Sequence, residues 1–177
     1  HRRMRIVMPT RPFSLADAVG MSSAVSNRPE GAAFVPRARY WAPGSREKPE
    51  TEFQSFADGG ELENFGLIGL LRRRVERLIV FVNTLHPLSE RMEFREPFET
   101  IGIDPFIPPL FGYPSSKCPH NQVFSRAELP DVVSKLHAAK RRGHGVIAST
   151  RLMVQKNEWW GVPGGWETQV CWIYNER

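Results

Sequence analysis

One carboxylate in this chain stands where its chemistry could be directed. Asp58 is followed by Gly59 and Gly60 and preceded by Phe53-Gln54-Ser55-Phe56, a short predicted strand that carries two aromatic residues. Leu62, Phe65, Leu67, Ile68, Leu70 and Leu71 then recur at the spacing of a largely buried helix. Open α/β folds do their chemistry at such a junction, at the carboxyl end of a strand and ahead of a helix. Adjacent glycines admit positive φ and close approach of another backbone or a substrate. A carboxylate held there, beside helix-terminal amides, stays ionised and fixed in direction. Taken alone, Asp-Gly-Gly is more often a plain turn. Glu61, Glu63 and Asn64 could join Asp58 around a cation, but the string lacks the Asp/Asn positions of a calcium loop. First-turn acids favoured by the helix dipole are the commoner explanation. Asn64 is expected to hold the loop through side-chain bonds to backbone.

Other reactive residue types are scattered. His86, His120, His137 and His144 show no ligand spacing, and Cys118 and Cys171 form no Cys-x-x-Cys pair, so no metal or other cofactor is expected. Two cysteines suit a thiol pair in a reducing compartment, with one bridge as the alternative. Gly20-Met21-Ser22-Ser23-Ala24 imitates a nucleophile elbow but lies inside a helical pattern, not between a strand and a helix. Gly161 to Trp166 does not lead from a strand into a helix, which argues against a phosphate cradle. Trp159, Trp160, Trp166 and Trp172 could form a membrane-interface patch, or they could pack in a core or against a subunit.

The elements that must position Asp58 read as follows. Ser14 caps a helix with Asp17 near its exposed amides, and that pattern fades at Asn27-Arg28-Pro29-Glu30-Gly31. Phe34 to Trp41 is β-prone but carries Pro36, which limits it to a sheet edge. After the 62–71 helix, Arg77 to Asn83 is a strand apolar through its middle, as when both faces are covered. Strand, loop, helix and strand predict one βαβ unit with a right-handed crossover. A Pro-rich stretch from Pro97 to Pro119 reads as a functional lid or irregular packing. Ser125 to Glu128 resembles a capping box. Leu129, Val132, Val133 and Leu136 follow one helical face, and Pro130 blurs where that helix begins. His144 to Val154 and Gln169 to Tyr174 read as strands, the second alternating at Val170, Trp172 and Tyr174.

The string Asp58-Gly59-Gly60-Glu61-Leu62-Glu63-Asn64-Phe65-Gly66-Leu67, then Leu70-Leu71-Arg72-Arg73-Arg74 and the 78–82 strand, resembles the dyad-aspartate segment of patatin-like and cytosolic phospholipase A-like acyl hydrolases. The match runs from Phe53 to Asn83. It is weaker over Leu15 to Ser26, which resembles the small-residue-rich helix upstream of that loop. The resemblance implies a layered α/β sheet with helices on both faces, present here as its carboxy-terminal part. Residues 1–83 would carry the Asp58 loop, and 84–177 would complete or extend the same domain as an irregular Pro-rich extension. It implies acyl transfer without histidine: a serine on an elbow attacks a lipid ester, and Asp58 takes its proton. Gly59, Gly60 and Asn64 would support substrate or loop, and a separate glycine-rich loop would hold the oxyanion. No Gly-x-Ser-x-Gly occurs in this sequence, so the nucleophile is expected on a preceding segment, cleaved, separate or outside this chain. The alternative is a non-catalytic relative serving as an interaction or structural subunit.

Composition sets the outer bounds. The 177 residues are 41% hydrophobic and 24% charged, values of an ordinary globular domain that exclude disorder and fibrous repeats. The balance of 24 Lys and Arg against 19 Asp and Glu permits an anionic membrane surface, nucleic acid or acidic ligands. Arg72-Arg73-Arg74 and Lys140-Arg141-Arg142 each end a predicted helix, where cations complement the exposed carbonyls. With the cations so explained, a lipid or membrane surface is the expected partner and nucleic acid is not. No apolar run reaches the roughly 20 residues that span a bilayer, so an intracellular protein, soluble or peripheral to a membrane, is expected.

Overall fold

In a computed structural model, the described residues are 14–16, 19, 37–40, 52–55, 59–89, 93–95, 99–116, 118–143 and 145–176. The chain divides into two compact units, His1–Gly59 and Gly60–Arg177. In the first, Leu15, Ala16 and Val19 are helical, as the Ser14 cap predicts. Strands β1 (Arg37–Tyr40) and β2 (Glu52–Ser55) pair antiparallel, with Arg37 opposite Ser55. The second unit contains helix α1 (Leu67–Leu71), strand β3 (Arg77–Thr84), the short strands β4 (Glu93–Arg95) and β5 (Glu99–Ile101), helix α2 (Leu129–Arg141), and strands β6 (Val146–Val154) and β7 (Trp166–Glu176).

The fold of the second unit is α/β, built on a three-stranded mixed sheet in the order β3-β7-β6. Strand β7 runs parallel to β3 and antiparallel to β6. The register sets Leu78 beside Val170, Val80 beside Trp172 and Val82 beside Tyr174, with Thr150 and Ala148 continuing the rows on β6. All of these face one core, which also takes Leu67, Ile68 and Leu71 of α1 and Leu129, Val132 and Leu136 of α2. Fully burying each aliphatic side chain contributes about 1.5–3 kcal/mol. Trp172 is wholly buried, and its indole N–H donates to Thr150 Oγ1 at 2.9 Å, so the large ring leaves no unpaired donor.

The capping box closes a 3₁₀ turn, Arg126–Glu128, that leads straight into helix α2. The Ser125 N–H donates to Glu128 Oε2 at 2.9 Å, and the Ala127 N–H donates to Ser125 Oγ. Pro130 sits in the first turn, where its missing N–H costs nothing. Lys140 and Arg141 occupy the last turn and Gly143 follows at φ 72°, as the basic triplet predicts. Within the Pro-rich stretch, Pro108–Phe111 forms a buried 3₁₀ turn against the core.

Two expectations fail. The βαβ crossover is not formed: β2 is laddered antiparallel to β1, β3 takes its parallel partner from β7, and no ladder among the described residues joins β2 to β3. Leu78, Val80 and Val82 need a neighbour that continues their apolar rows. Val170, Trp172 and Tyr174 supply it at matching spacing, which Glu52-Phe53-Gln54-Ser55 does not. Strand β3 is also covered on one face, not two. Its burial alternates strictly, with Ile79 64% and Phe81 60% exposed.

One charged staple closes the end of the sheet. Glu176 Oε2 accepts from the Leu88 N–H at 2.7 Å, while Lys140 Nζ donates to the Leu88 carbonyl at 2.8 Å and pairs with Glu176 at 2.7 Å. Burial pushes the Glu176 carboxyl up, but the Lys140 and Leu88 hydrogen bonds and the Lys140 charge outweigh it and leave it below its ordinary value. Its contribution to stability is therefore present above that value and lost as pH falls through the lowered one. Glu176→Gln is expected to cost less than about 1 kcal/mol at neutral pH, the pair being partly exposed. That cost should vanish in acid denaturation profiles, and a cost that grows as pH falls would refute the assignment. Gly164, at φ 70°, is a stricter constraint: an added Cβ would overlap the Lys156 nitrogen and the Gln155 carbonyl carbon. Gly164→Ala should lower stability by about 2 kcal/mol or more in chemical denaturation. Gly59→Ala, where a Cβ meets nothing within 4 Å, should change it by less than about 1 kcal/mol.

Candidate functional site

Asp58 lies outside the described residues, and the structure describes the loop from the next residue on. Gly59 and Gly60 open a 3₁₀ turn, Gly59–Glu61, and neither adopts positive φ, so the freedom expected of the pair is not used. The left-handed glycine is Gly66, at φ 67°, immediately before α1. It explains why the helix predicted over 62–71 is confined to Leu67–Leu71: a residue in that conformation cannot continue a right-handed helix backwards.

Glu63, not Asn64, holds the loop. Its carboxylate accepts from the Phe65 N–H at 2.8 Å and the Ile68 N–H at 3.2 Å, meeting amides that a helix start leaves unpaired. Asn64 is exposed. Burial pushes the Glu63 carboxyl above its ordinary value, and the amides of Phe65, Ile68, Leu67 and Gly66 offset that only in part. The sequence signal was present, since acids in a first turn are expected there. Of Glu63 and Asn64, it is Glu63 that turns inward.

Downstream, three loops are tied together by two asparagines. Asn121 is buried: its amide nitrogen donates to the Leu62 carbonyl, and its amide oxygen accepts from the Trp160 indole N–H at 3.0 Å. Asn157 donates to the carbonyls of His120 and Gln122 at 2.7 and 2.8 Å and accepts from the Trp160 N–H at 3.0 Å. The segment following the Asp58 loop is thus fixed to the turn after β6. On the outside of this knot, Trp159 is 57% exposed, stacked on His120 with ring centres 5.2 Å apart and edge-on to Trp160 at 4.8 Å. Sequence reasoning grouped Trp172 with these rings, but it lies in the core. Neither asparagine was singled out, and only their position in turn-rich segments marked them.

The arginine triplet borders the same turn. Helix α1 ends in a Schellman pair, the Val75 N–H donating to the Leu70 carbonyl and the Arg74 N–H to the Leu71 carbonyl. The left-handed position is filled by Arg74, at φ 57°, where glycine is the cheap choice. Arg73 donates back to the Gly69 carbonyl at 2.8 Å, as the capping expectation has it. Arg72 and Arg74 do otherwise. An added Cβ on Gly161 would lie 3.5 Å from Arg72 Nε, and the Arg74 guanidinium lies 5.9 Å from the centre of the Trp166 ring.

Other surfaces offer less chemistry. A cleft of about 350 Å³ is lined by Pro109, Tyr113, Ser115 and Gln122, with the Arg126 guanidinium 4.1 Å from the Tyr113 ring centre. Its residues form no nucleophile–base pair, and Ser115 Oγ accepts from the Cys118 N–H. Among the described residues, no three His, Cys, Asp or Glu side chains converge on a metal position. Cys118 is buried and Cys171 half-buried, and no disulfide joins them. No helix of the described residues is long and apolar enough to cross a membrane. Comparison of the chain with family models, curated proteins and solved structures yields no match.

Glu63 gives this site a measurable signature. A carboxyl raised above its ordinary value of 4.5 contributes stability below that value and loses it as pH rises through the raised one. The stability of the wild-type protein relative to Glu63→Gln should therefore fall as pH rises above 4.5, measured by urea denaturation at a series of pH values. A difference that grows over that range would show that the backbone amides, not burial, dominate.

Proposed function

We propose that this chain is the acid-bearing segment of a Ser–Asp dyad lipid acyl hydrolase, with Asp58 as proton acceptor and the nucleophilic serine on a segment outside this sequence. The observation that carries the reading is the run from Asp58 to Val82. An Asp-Gly-Gly loop is followed by a short buried helix and a strand that lies parallel to its neighbour.

The chemistry asked of Asp58 is modest in kind and demanding in environment. An aspartate is a weak base in water, so it assists a serine hydroxyl only in a dry, hydrogen-bonded site. In this reading the serine Oγ attacks the ester carbonyl, its proton passes to Asp58, and main-chain amides of a glycine-rich loop hold the oxyanion. Gly59 and Gly60 keep side chains away from the carboxylate. The layered arrangement with helices on both sheet faces belongs to the same proposal, the second layer being supplied by other chain.

A second reading is favoured by a specific observation. Strand β2, which leads to Asp58, is laddered to β1 and not to β3, so the described residues lack the crossover that would aim the carboxylate. On that reading the chain is a non-catalytic interaction or structural subunit. One experiment separates the two: the protein, with the material that co-purifies with it, is treated with a fluorophosphonate probe and analysed by intact mass. The hydrolase reading expects an adduct on a serine of an associated or preceding segment, none on this chain alone, and loss of labelling by at least about a hundredfold in Asp58→Asn. Absence of any serine adduct, or undiminished labelling of the Asp58→Asn protein, selects the subunit.

A further inference from the structure

We propose that the basic-aromatic surface formed by the end of α1 and the turn after β6 docks on an anionic phospholipid surface. The inference deepens the hydrolase reading, on which its biological sense rests, but it stands on separate observations.

The first is charge without partners. Arg72, Arg73 and Arg74 are exposed, and none makes an ion pair among the described residues. The nearby acid of the turn, Glu158, is already tied to Lys156 at 2.6 Å. The second is the company these cations keep. Arg72 lies against Gly161 and Arg74 over Trp166, which places guanidinium groups along the stretch that follows Trp159. Indole rings favour the boundary between lipid and water, and arginines beside them meet phosphate headgroups there. Leu62, joined to this turn through Asn121 and Trp160, is 53% exposed, and Leu70, on the outer side of α1, is 42% exposed. Exposed aliphatic groups among unpaired cations match the layered polarity of a membrane surface.

The third observation is the backbone at Arg74. A left-handed, non-glycine residue closes the helix where glycine would do so with less strain. Strain kept at one position is a pointer to what its side chain does. A single-stranded nucleic acid is the other polyanion that uses arginine and tryptophan, but it needs open ring faces for its bases. Here one face of Trp159 is covered by His120 and its edge meets Trp160, so lipid is the better fit.

The test uses the full chain and sedimentation with vesicles of diether-linked phosphatidylcholine, alone or mixed with diether-linked phosphatidylglycerol, which offer no carboxylic ester to an acyl hydrolase. The wild-type protein should partition at least about tenfold better onto the anionic vesicles, with the preference shrinking as salt rises. Arg72→Gln and Arg74→Gly should each lower that partition about fivefold, and Trp159→Ala should lower it on both vesicle types. Arg74→Gly also relieves the left-handed strain, so its melting temperature should hold or rise while binding falls, separating loss of contact from loss of fold. Equal partition onto neutral vesicles, or wild-type partition by the two arginine variants, overturns the proposal. Tighter binding to a single-stranded oligonucleotide, lost in the same variants, overturns it in favour of nucleic acid. Vesicle binding without a serine adduct would remove the hydrolase reading and leave this surface standing. An adduct without vesicle binding would do the reverse.

Discussion

Strand β7 is hydrogen-bonded along both edges, and the second unit is organised by what that demands of its neighbours. A strand with a parallel partner on one side and an antiparallel partner on the other must present matching rows to both. Val170, Trp172 and Tyr174 do so from the last dozen residues of the chain, drawing in β3 and β6 from far apart in sequence. Tyr174 extends the reach of the strand beyond the sheet. Its hydroxyl donates to the His86 carbonyl at 2.7 Å and accepts from the Asp104 N–H at 2.8 Å, fixing the exit of β3 and the start of the Pro-rich stretch. Burial pushes that phenol well above its ordinary range, so it remains a donor.

The same sheet explains how the surface is divided. α1 and α2 share one core with the inward rows, while the opposite rows hold Ile79, Phe81 and Ile147 half or more exposed. Exposed apolar residues in adjacent rows are uncommon on a face meant for water. In the hydrolase reading this is where further layers of the sheet belong. The basic-aromatic surface is different in kind, because its rings and guanidinium groups are held by loops and by the strained end of α1.

Helix and strand follow the Asp-Gly-Gly loop in the expected order, each with one buried side, and the strand has a parallel neighbour. The neighbour is not the strand that leads to Asp58. Glu63 shows how much local wiring the loop contains after its glycines: one half-buried carboxylate collects the free amides at the start of α1. It secures the loop downstream of Asp58 without needing Asn64.

The sequence by itself determined what short-range periodicity can carry. Helix α2 and the capped turn ahead of it, β6, β7 with its alternating face, and the Lys140–Arg142 and Gly143 ending are all properties of a few neighbouring residues. Pairing was decided only by tertiary structure. An apolar run such as Leu78 to Val82 reads the same with one face buried or two, and strand order is settled by which distant rows match. Burial likewise sent Trp172 to the core while Trp159 stayed outside. Composition treats those residues as equivalents, but the space beside each Cα differs, and only the packed chain defines that space.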